Sequence, residues 1–107
     1  MRYSKYRAIK TMSDGHTFDS RLEAKRYAQL KLMERAGAIK NVKCQVPFVL
    51  IEKNENGRAI KYVADFVYEE NGQMVVEDTK GIKTPVYRLK KRLMQEKYGI
   101  TIKEVYK

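Results

Sequence analysis

The sequence predicts an α+β domain in which a helix precedes three antiparallel strands, and a second helix leads to a last strand of a mixed sheet flanked by helices. Two turn pairs, Asn56-Gly57 and Asn71-Gly72, lie between stretches rich in β-branched and aromatic residues, a pattern typical of β-hairpins. A helical pattern preceded by a capping residue lies on each side of these hairpins. With 107 residues, the chain is expected to form a single domain with a modest core.

Residues 1–17 form a basic and aromatic segment with little periodicity. Asp14-Gly15 is a turn pair, so Ala8–Met12 and His16–Phe18 are compatible with a short hairpin. An arm that becomes ordered on nucleic acid is an equally compatible interpretation. His16 is the only histidine of the chain, and as a polar turn residue it is assigned a structural role.

The first predicted helix begins after Ser20. Ser20 and Glu23 form a capping box, and Ala36-Gly37 supplies the end of the helix. Glu23 has two interpretations: it satisfies a backbone N–H as a cap residue, or its carboxylate extends over the sheet that the helix covers. Taken by itself, Glu23 favours the capping interpretation.

Three strands are predicted after this helix, at roughly Gln45–Lys53, Ile60–Tyr68 and Met74–Thr79. A two-residue turn at Asn56-Gly57 would pair Leu50 with Val63 and Glu52 with Lys61. The second pair joins opposite charges across the strands, which supports this register.

The second hairpin is predicted to bring two acidic residues face to face. A turn at Asn71-Gly72 gives a register in which Asp65 lies opposite Asp78 and Phe66 lies opposite Glu77. Directly opposed side chains have Cβ atoms about 5 Å apart, so the carboxylates of Asp65 and Asp78 repel each other. A divalent cation between them removes the repulsion, because hard cations take carboxylate oxygens as ligands.

Lys80 and Glu77 complete the charged residues at this end of the hairpin. Because side chains alternate along a strand, Lys80 is expected to project from the same face as Asp78. Glu77 falls on the opposite face. A bulge near Gly81 would reverse that assignment, so Glu77 is retained as the alternative acid.

The second predicted helix has Thr84 as its N-cap, Pro85 at its first position and Gly99 at its end. Its apolar residues predict a buried stripe of Val86, Leu89 and Leu93. Its opposite face is basic. Ile100–Val105 alternates between apolar and polar residues and is expected to form a last strand parallel to the third one.

The charge of the chain predicts a polyanionic partner. Its 23 Lys and Arg exceed its 13 Asp and Glu by ten, and the basic residues are unevenly distributed, with eleven in residues 1–43, three in 44–79 and nine in 80–107. Nucleic acid is the commonest partner of such a surface. A basic surface without a partner is the alternative.

Several classes of protein are excluded by composition. One cysteine, Cys44, excludes an internal disulfide, and with a single histidine it falls short of a zinc site. The single histidine also excludes nucleases built on paired histidines. No apolar run approaches a membrane span, and the N-terminus lacks the apolar core of a signal peptide. An intracellular, cytoplasmic protein is expected.

The ordered set of Glu23 on the leading helix, Asp65 on the second strand and Asp78-Thr79-Lys80 on the third resembles the PD-(D/E)xK nuclease superfamily. The stretches FDSRLEAKRY, ADFVY and VVEDTKG carry the resemblance, which spans the chain from Phe18 to Val105. Within the superfamily the chain is similar to small phage and prophage endonucleases and to compact archaeal-type Holliday junction resolvases. Ala64 replaces the proline of the motif, and Asp78 stands where many relatives have glutamate.

The resemblance implies a restriction-endonuclease-like core and metal-dependent hydrolysis of phosphodiester bonds in DNA. Asp65, Asp78 and the backbone carbonyl of Thr79 would bind Mg²⁺ or Mn²⁺, and Glu23 would reach a metal directly or through a water. Lys80 would orient or help to deprotonate the attacking water and would stabilise the charge that develops on phosphorus.

DNA is the partner that the resemblance implies, in phage recombination or another form of DNA processing in a bacterial host. A resolvase of branched DNA makes two symmetric cuts, so this version predicts a homodimer, whereas a nicking enzyme could be monomeric. The candidate DNA contacts are Lys83, Tyr87, Arg88, Lys90, Lys91, Arg21 and Arg26.

A binding module without catalysis is the alternative from another class. A helix, three antiparallel strands and a basic second helix also form the order of a double-stranded RNA-binding domain. The strand predicted at Ile100–Val105 argues against such a domain, which lacks it. The pair Asp65 and Asp78 argues against it as well, because two carboxylates without a metal repel RNA.

Overall fold

The predicted order of helices and strands is present in the computed structural model, which describes residues 11–13, 16–18, 20–80 and 83–106. The Asp14-Gly15 turn, the Gly81-Ile82 linker and Ala8–Lys10 of the predicted first hairpin lie outside the described residues. The elements are β1 (Thr11–Ser13), β2 (His16–Phe18), α1 (Arg21–Arg35), β3 (Lys40–Ile51), β4 (Ile60–Glu70), β5 (Gln73–Lys80), α2 (Pro85–Tyr98) and β6 (Lys103–Tyr106).

The main sheet has four strands in the order β3-β4-β5-β6, and β1 and β2 form a separate antiparallel pair. β3 and β5 both run antiparallel to β4 between them. β6 runs parallel to β5, which confirms the mixed sheet. A parallel partner requires a crossover, and α2 provides it.

Local signals in the sequence correctly locate both helices. The Ser20 hydroxyl accepts a hydrogen bond from the backbone N–H of Glu23 at 3.1 Å, and α1 ends just before Gly37, whose φ is 84°. Thr84 caps α2 in the same way, through the N–H of Tyr87 at 3.1 Å. Gly99 ends α2 with a φ of 68°, in the left-handed region that favours glycine.

The predicted register between the first two strands is wrong. Val63 lies opposite Pro47 instead of Leu50, and Lys61 lies opposite Val49 instead of Glu52. The strand itself begins at Lys40, five residues earlier than predicted. A shift by three residues exchanges the faces of the strand, because side chains alternate with a period of two.

Two hydrophobic clusters cover opposite faces of the sheet. Phe66 and Tyr68 belong to the cluster under α1, whereas Val67 between them belongs to the cluster under α2. The α1 cluster contains Phe18, Ala24, Tyr27, Leu30, Ile39, Phe66 and Tyr68. The α2 cluster contains Leu50, Tyr62, Ala64, Val67, Val76, Tyr87, Met94 and Ile102.

The buried stripe of α2 differs from the predicted one. Tyr87 and Met94 are buried and Leu93 is partly buried, whereas Val86 and Leu89 are exposed. Tyr87 can replace an aliphatic residue because its hydroxyl finds a buried acceptor, as described below. Within the described residues, no helix combines the length and the apolar character needed to cross a membrane.

Candidate active site

The register of the second hairpin is the predicted one. Phe66 lies opposite Glu77, and the ladder continues without interruption to the turn. The next position of this register, beyond the last paired residues, brings Asp65 of β4 and Asp78 of β5 together. Both line one cavity of about 420 Å³ at the edge of the α2 cluster. The described residues around it are Glu23, Lys61, Tyr62, Val63, Asp65, Asp78, Thr79, Thr84, Val86, Tyr87 and Lys90.

Neighbouring strands hold one oxygen of each aspartate. The backbone N–H and the hydroxyl of Thr79 donate to Oδ2 of Asp65 at 2.8 Å and 2.9 Å. The hydroxyl of Tyr62 donates to Oδ2 of Asp78 at 2.6 Å. Asp78 and Tyr62 are both buried, at 4% exposure each. The orientation of both carboxylates is therefore set by donors within the sheet.

The two aspartates interact electrostatically. Burial raises the pKa of Asp65 to about 6, and the charge of Asp78 and a hydrogen bond with it act in the same direction. The two hydrogen bonds from Thr79 oppose this shift. Burial, together with the hydrogen bond to Asp78, also raises the pKa of Tyr62, so its hydroxyl stays protonated as a donor. The arrangement has the excess of negative charge that a cation would offset.

Glu23 reaches the same cavity from α1. It is 7% exposed, and its Oε2 accepts a hydrogen bond from Nε2 of Gln45 on β3 at 2.8 Å. Glu23 thus has a contact across elements in addition to the cap formed at its backbone N–H. Among the described residues, no three His, Cys, Asp or Glu side chains are grouped so that they could hold a metal ion together. Asp65 and Asp78 interact directly through charge and a hydrogen bond, and Glu23 lines the same cavity.

Glu77, the alternative acid, lies on the other face of the sheet. It has no exposed surface, and Arg26 of α1 binds it with two nitrogens, Nε at 2.5 Å and Nη2 at 3.0 Å. The hydroxyl of Tyr68 donates to the same carboxylate at 2.6 Å. The hydrogen bond to Glu77 raises the pKa of Arg26 in spite of partial burial. Glu77 and Arg26, a candidate DNA contact, thus form an ion pair beneath α1.

Lys80 is the last residue of β5, and its backbone pairs with Tyr106 of β6. Its side chain lies outside the described part of the molecule. The strand nevertheless carries Asp78, Thr79 and Lys80 as consecutive residues up to its end.

The other candidate DNA contacts are in different surroundings. Lys90 lines the cavity, and Tyr87 is buried in its wall. Arg88 is exposed on α2. Lys83 and Lys91 form ion pairs with Glu104 at 3.0 Å and 3.1 Å. Arg21 lies away from the aspartates, beside a second cleft of about 270 Å³ between α1 and β6.

Three residues of this region were not identified from the sequence. Lys61 lines the cavity, although the predicted register had paired it with Glu52. Tyr62 carries no signal of its own, because the contact of its hydroxyl with an acid has no sequence signature. Gln45 was taken as the start of a strand. The correct register of β3 against β4 would have identified Lys61 as an unmatched cation.

Nearly the whole chain matches one known protein family. Residues 3–106 match the model of a family described as "Protein of unknown function (DUF1064)". The chain belongs to this family. No curated protein matches the chain in sequence. The matched range includes the helices, the main sheet and every described residue around the cavity.

In this family member, Glu104 joins α2 to β6 behind the cavity. Its carboxylate accepts hydrogen bonds from the hydroxyls of Tyr87 and Tyr106, both at 2.7 Å. It also binds the ammonium groups of Lys83 and Lys91. Burial opposes the ionisation of Glu104, but these four donors outweigh burial and lower its pKa from 4.5 to about 2.

We expect Glu104→Gln to lower the free energy of unfolding by about 2 kcal/mol at pH 7, because hydrogen bonds to a charged group are lost. The native pKa lies below the unfolded one, so this stabilisation is complete above pH 4.5 and decreases as the pH falls toward 2. Urea unfolding of both proteins between pH 7 and pH 3 measures the difference. A difference that stays constant over this range would contradict the role assigned to the carboxylate.

Proposed function

We propose that this chain is a metal-dependent DNA endonuclease that hydrolyses phosphodiester bonds. The observation that carries the proposal is the meeting of Asp65 and Asp78 in a cavity that also contains Glu23 and is bordered by lysines. Opposed, partly buried carboxylates destabilise a fold without a counterion, and a net charge of +10 favours a polyanionic substrate.

The residues present fit Mg²⁺ or Mn²⁺. Asp65 and Asp78 supply hard carboxylate oxygens. Burial and, after it, the charge of Asp78 raise the pKa of Asp65, and a cation would compensate that charge. Asp65, Asp78 and the backbone carbonyl of Thr79 would hold the ion, with Glu23 acting through a water. Few protein ligands suffice, because Mg²⁺ usually keeps several waters.

The protein groups around the aspartates have distinct roles in this proposal. A bound ion would supply positive charge that activates water and offsets the charge that develops on the phosphate. Thr79 and Tyr62 fix the orientation of the two aspartates through the hydrogen bonds described above. Lys61 and Lys90, at the cavity border, would bind the phosphates on either side of the bond to be cleaved. Lys80 is assigned the stabilisation of the attacked phosphate, as in the similar nucleases.

The proposal is tested with a panel of labelled DNAs: a four-way junction, a flap, a duplex and a single strand. Each is incubated with Mg²⁺, Mn²⁺ or EDTA, in parallel with Asp65→Asn and Lys80→Ala proteins. We expect the unaltered protein to cleave DNA only when metal is present. Both substitutions should abolish cleavage and leave DNA binding intact. The substrate cut fastest identifies the DNA structure that is recognised, and cleavage in EDTA would contradict the metal assignment.

Binding without cleavage on every substrate and with every metal would contradict the nuclease assignment. A nucleic-acid-binding module would then be the better description, and duplex RNA the next ligand to measure. The presence of β6 beside β5 argues against the architecture of a double-stranded RNA-binding domain.

Branched DNA as the substrate would require a homodimer, because two symmetric cuts need two active sites. Analytical ultracentrifugation at micromolar protein with a four-way junction tests this version. Two chains per junction are expected for a resolvase. One chain per junction would restrict the proposal to a nicking or single-strand endonuclease.

The two neighbouring lysines of α2 are expected to differ in DNA binding. Lys90→Ala should reduce the slope of log K against log salt by about one, because Lys90 borders the cavity and would contact a phosphate. Lys91→Ala is the matched control, since Lys91 is paired with Glu104. Fluorescence anisotropy between 50 and about 200 mM salt measures both slopes. Equal slopes for the two variants would contradict this distinction.

A further inference from the structure

Gln45 has a backbone conformation that is uncommon for its residue type. Its φ is 53°, although it lies within β3, between the paired positions Cys44–Phe66 and Val46–Ala64. Residues with a side chain rarely adopt positive φ, and within a strand this conformation turns the chain about its axis. The two flanking pairs place Gln45 level with Asp65 of β4.

β3 changes face at Gln45, and β4 changes face at the same level, between Ala64 of the α2 cluster and Phe66 of the α1 cluster. Cys44 packs against the α1 cluster, whereas Val46, two residues later, packs against the α2 cluster. In a regular strand both would lie on one face. Gln45 is the residue between them. Its side-chain amide donates a hydrogen bond to Oε2 of Glu23 at 2.8 Å.

Glu23 needs such a contact if it is to act at a defined position. It is a three-torsion side chain on a helix, whereas Asp65 and Asp78 are shorter side chains on the sheet. Oxygens of the two aspartates accept hydrogen bonds from Thr79 and Tyr62. Gln45 gives Glu23 the equivalent support from a third strand.

We propose that Gln45 is a positioning residue, whose left-handed backbone directs its amide to Glu23 and holds that carboxylate toward the cavity shared with Asp65 and Asp78. The inference rests on the proposed function, because it assigns Gln45 to the support of the same metal site. Outer contacts of this kind typically change metal affinity or activity by 10- to 100-fold when they are removed.

The chain contains a matched control within β3. Asn41 also has a positive φ, 56°, and its side-chain amide also donates to a carboxylate, that of Glu69 at 2.7 Å. This second contact is exposed and does not border the cavity of the aspartates. Gln45→Gly and Asn41→Gly therefore remove the same kind of hydrogen bond from the same kind of backbone, and glycine tolerates both positions.

The experiment compares these variants with the unaltered protein, Glu23→Ala and the double variant Gln45→Gly/Glu23→Ala. Gln45→Gly is expected to slow cleavage and to weaken Mn²⁺ binding about 10- to 100-fold, with Mn²⁺ binding measured by electron paramagnetic resonance without DNA. Asn41→Gly should leave both quantities within about twofold, because it borders no part of the site. In the Glu23→Ala background, Gln45→Gly should have no further effect, since its acceptor is absent.

Unchanged Mn²⁺ affinity in Gln45→Gly would overturn the inference, as would effects of Gln45→Gly and Glu23→Ala that multiply. A similar loss in Asn41→Gly would do the same, because it would indicate a general effect on β3. If the unaltered protein binds Mn²⁺ but cleaves no DNA, the proposed function fails, and weaker Mn²⁺ binding by Gln45→Gly alone still supports the positioning role. Absence of Mn²⁺ binding by the unaltered protein would overturn both.

Discussion

Asp78→Asn is expected to abolish cleavage and, in EDTA, to make the protein more stable. Under the proposed function, loss of one of the two carboxylates removes several kcal/mol of transition-state charge stabilisation, which corresponds to at least about a thousandfold in rate. The same change removes the charge that faces Asp65. The free energy of unfolding without metal should therefore rise by about 1 kcal/mol, the energy of two like charges about 4 Å apart in water.

Added metal should reverse the order of stabilities. A ligand that binds only the folded state stabilises it, so millimolar Mg²⁺ is expected to raise the melting temperature of the unaltered protein and not that of Asp78→Asn. Single-turnover cleavage measures the rate, and urea unfolding with EDTA or Mg²⁺ measures the stability. The side-chain amide oxygen that this substitution introduces can still accept the hydrogen bond that Tyr62 donates, which keeps the comparison electrostatic.

Glu55→Gln serves as the control, because Glu55 is exposed in the β3–β4 connection. It should change neither cleavage nor the response to Mg²⁺. A lower stability of Asp78→Asn in EDTA would show that the two aspartates do not destabilise the fold. Retained cleavage by this variant would exclude Asp78 as a metal ligand.

Arg26→Met is expected to lower the free energy of unfolding by about 3–5 kcal/mol. This is the largest loss of stability that we predict for a single substitution in this chain. It would leave the carboxylate of Glu77, which has no exposed surface, without the guanidinium that binds both its oxygens. An isolated buried charge is costly, whereas methionine preserves the apolar stem that packs beneath α1. Urea unfolding at 25 °C measures the change.

The double variant Arg26→Met/Glu77→Gln should recover much of this loss, because it removes the buried charge and keeps an acceptor for Tyr68. Lys31→Met is the control within the same helix. Its ion pair with Glu34 is partly exposed, so its loss should cost about 0.5 kcal/mol or less. A change below about 1 kcal/mol in Arg26→Met would contradict the burial of the pair, and Arg26 would again be a candidate for direct DNA contact.

Features that depend on neighbouring residues were predictable from the sequence. Interactions over three or four residues set these features. They are the caps at Ser20 and Thr84, the helix ends at glycines and the turn at Asn71-Gly72. The turn also determines the register of β4 and β5, because a two-residue connection leaves no freedom to shift. The opposition of Asp65 and Asp78 follows from that register.

The pairing of β3 with β4 was decided by tertiary packing. The connection from residue 52 to residue 59 contains a small turn, with Asn54 bridged to Gly57, and does not continue the strand ladder into Asn56-Gly57. A longer connection permits several registers, and packing selects among them. The ring of Phe48 lies 6.5 Å from that of Tyr62 and 5.7 Å from that of Tyr98 on α2. These contacts are formed in the observed register, in which Lys61 lines the cavity.

The sequence alone thus determined the order of elements and brought the two aspartates opposite each other, because both follow from local turns and caps. Only the tertiary structure decided which other groups meet them. It paired Glu77 with Arg26 on the far face, joined Gln45 to Glu23, and placed the hydroxyl of Tyr62 on Asp78. These contacts join residues 16 to 51 positions apart, whose distance depends on how the helices pack on the sheet.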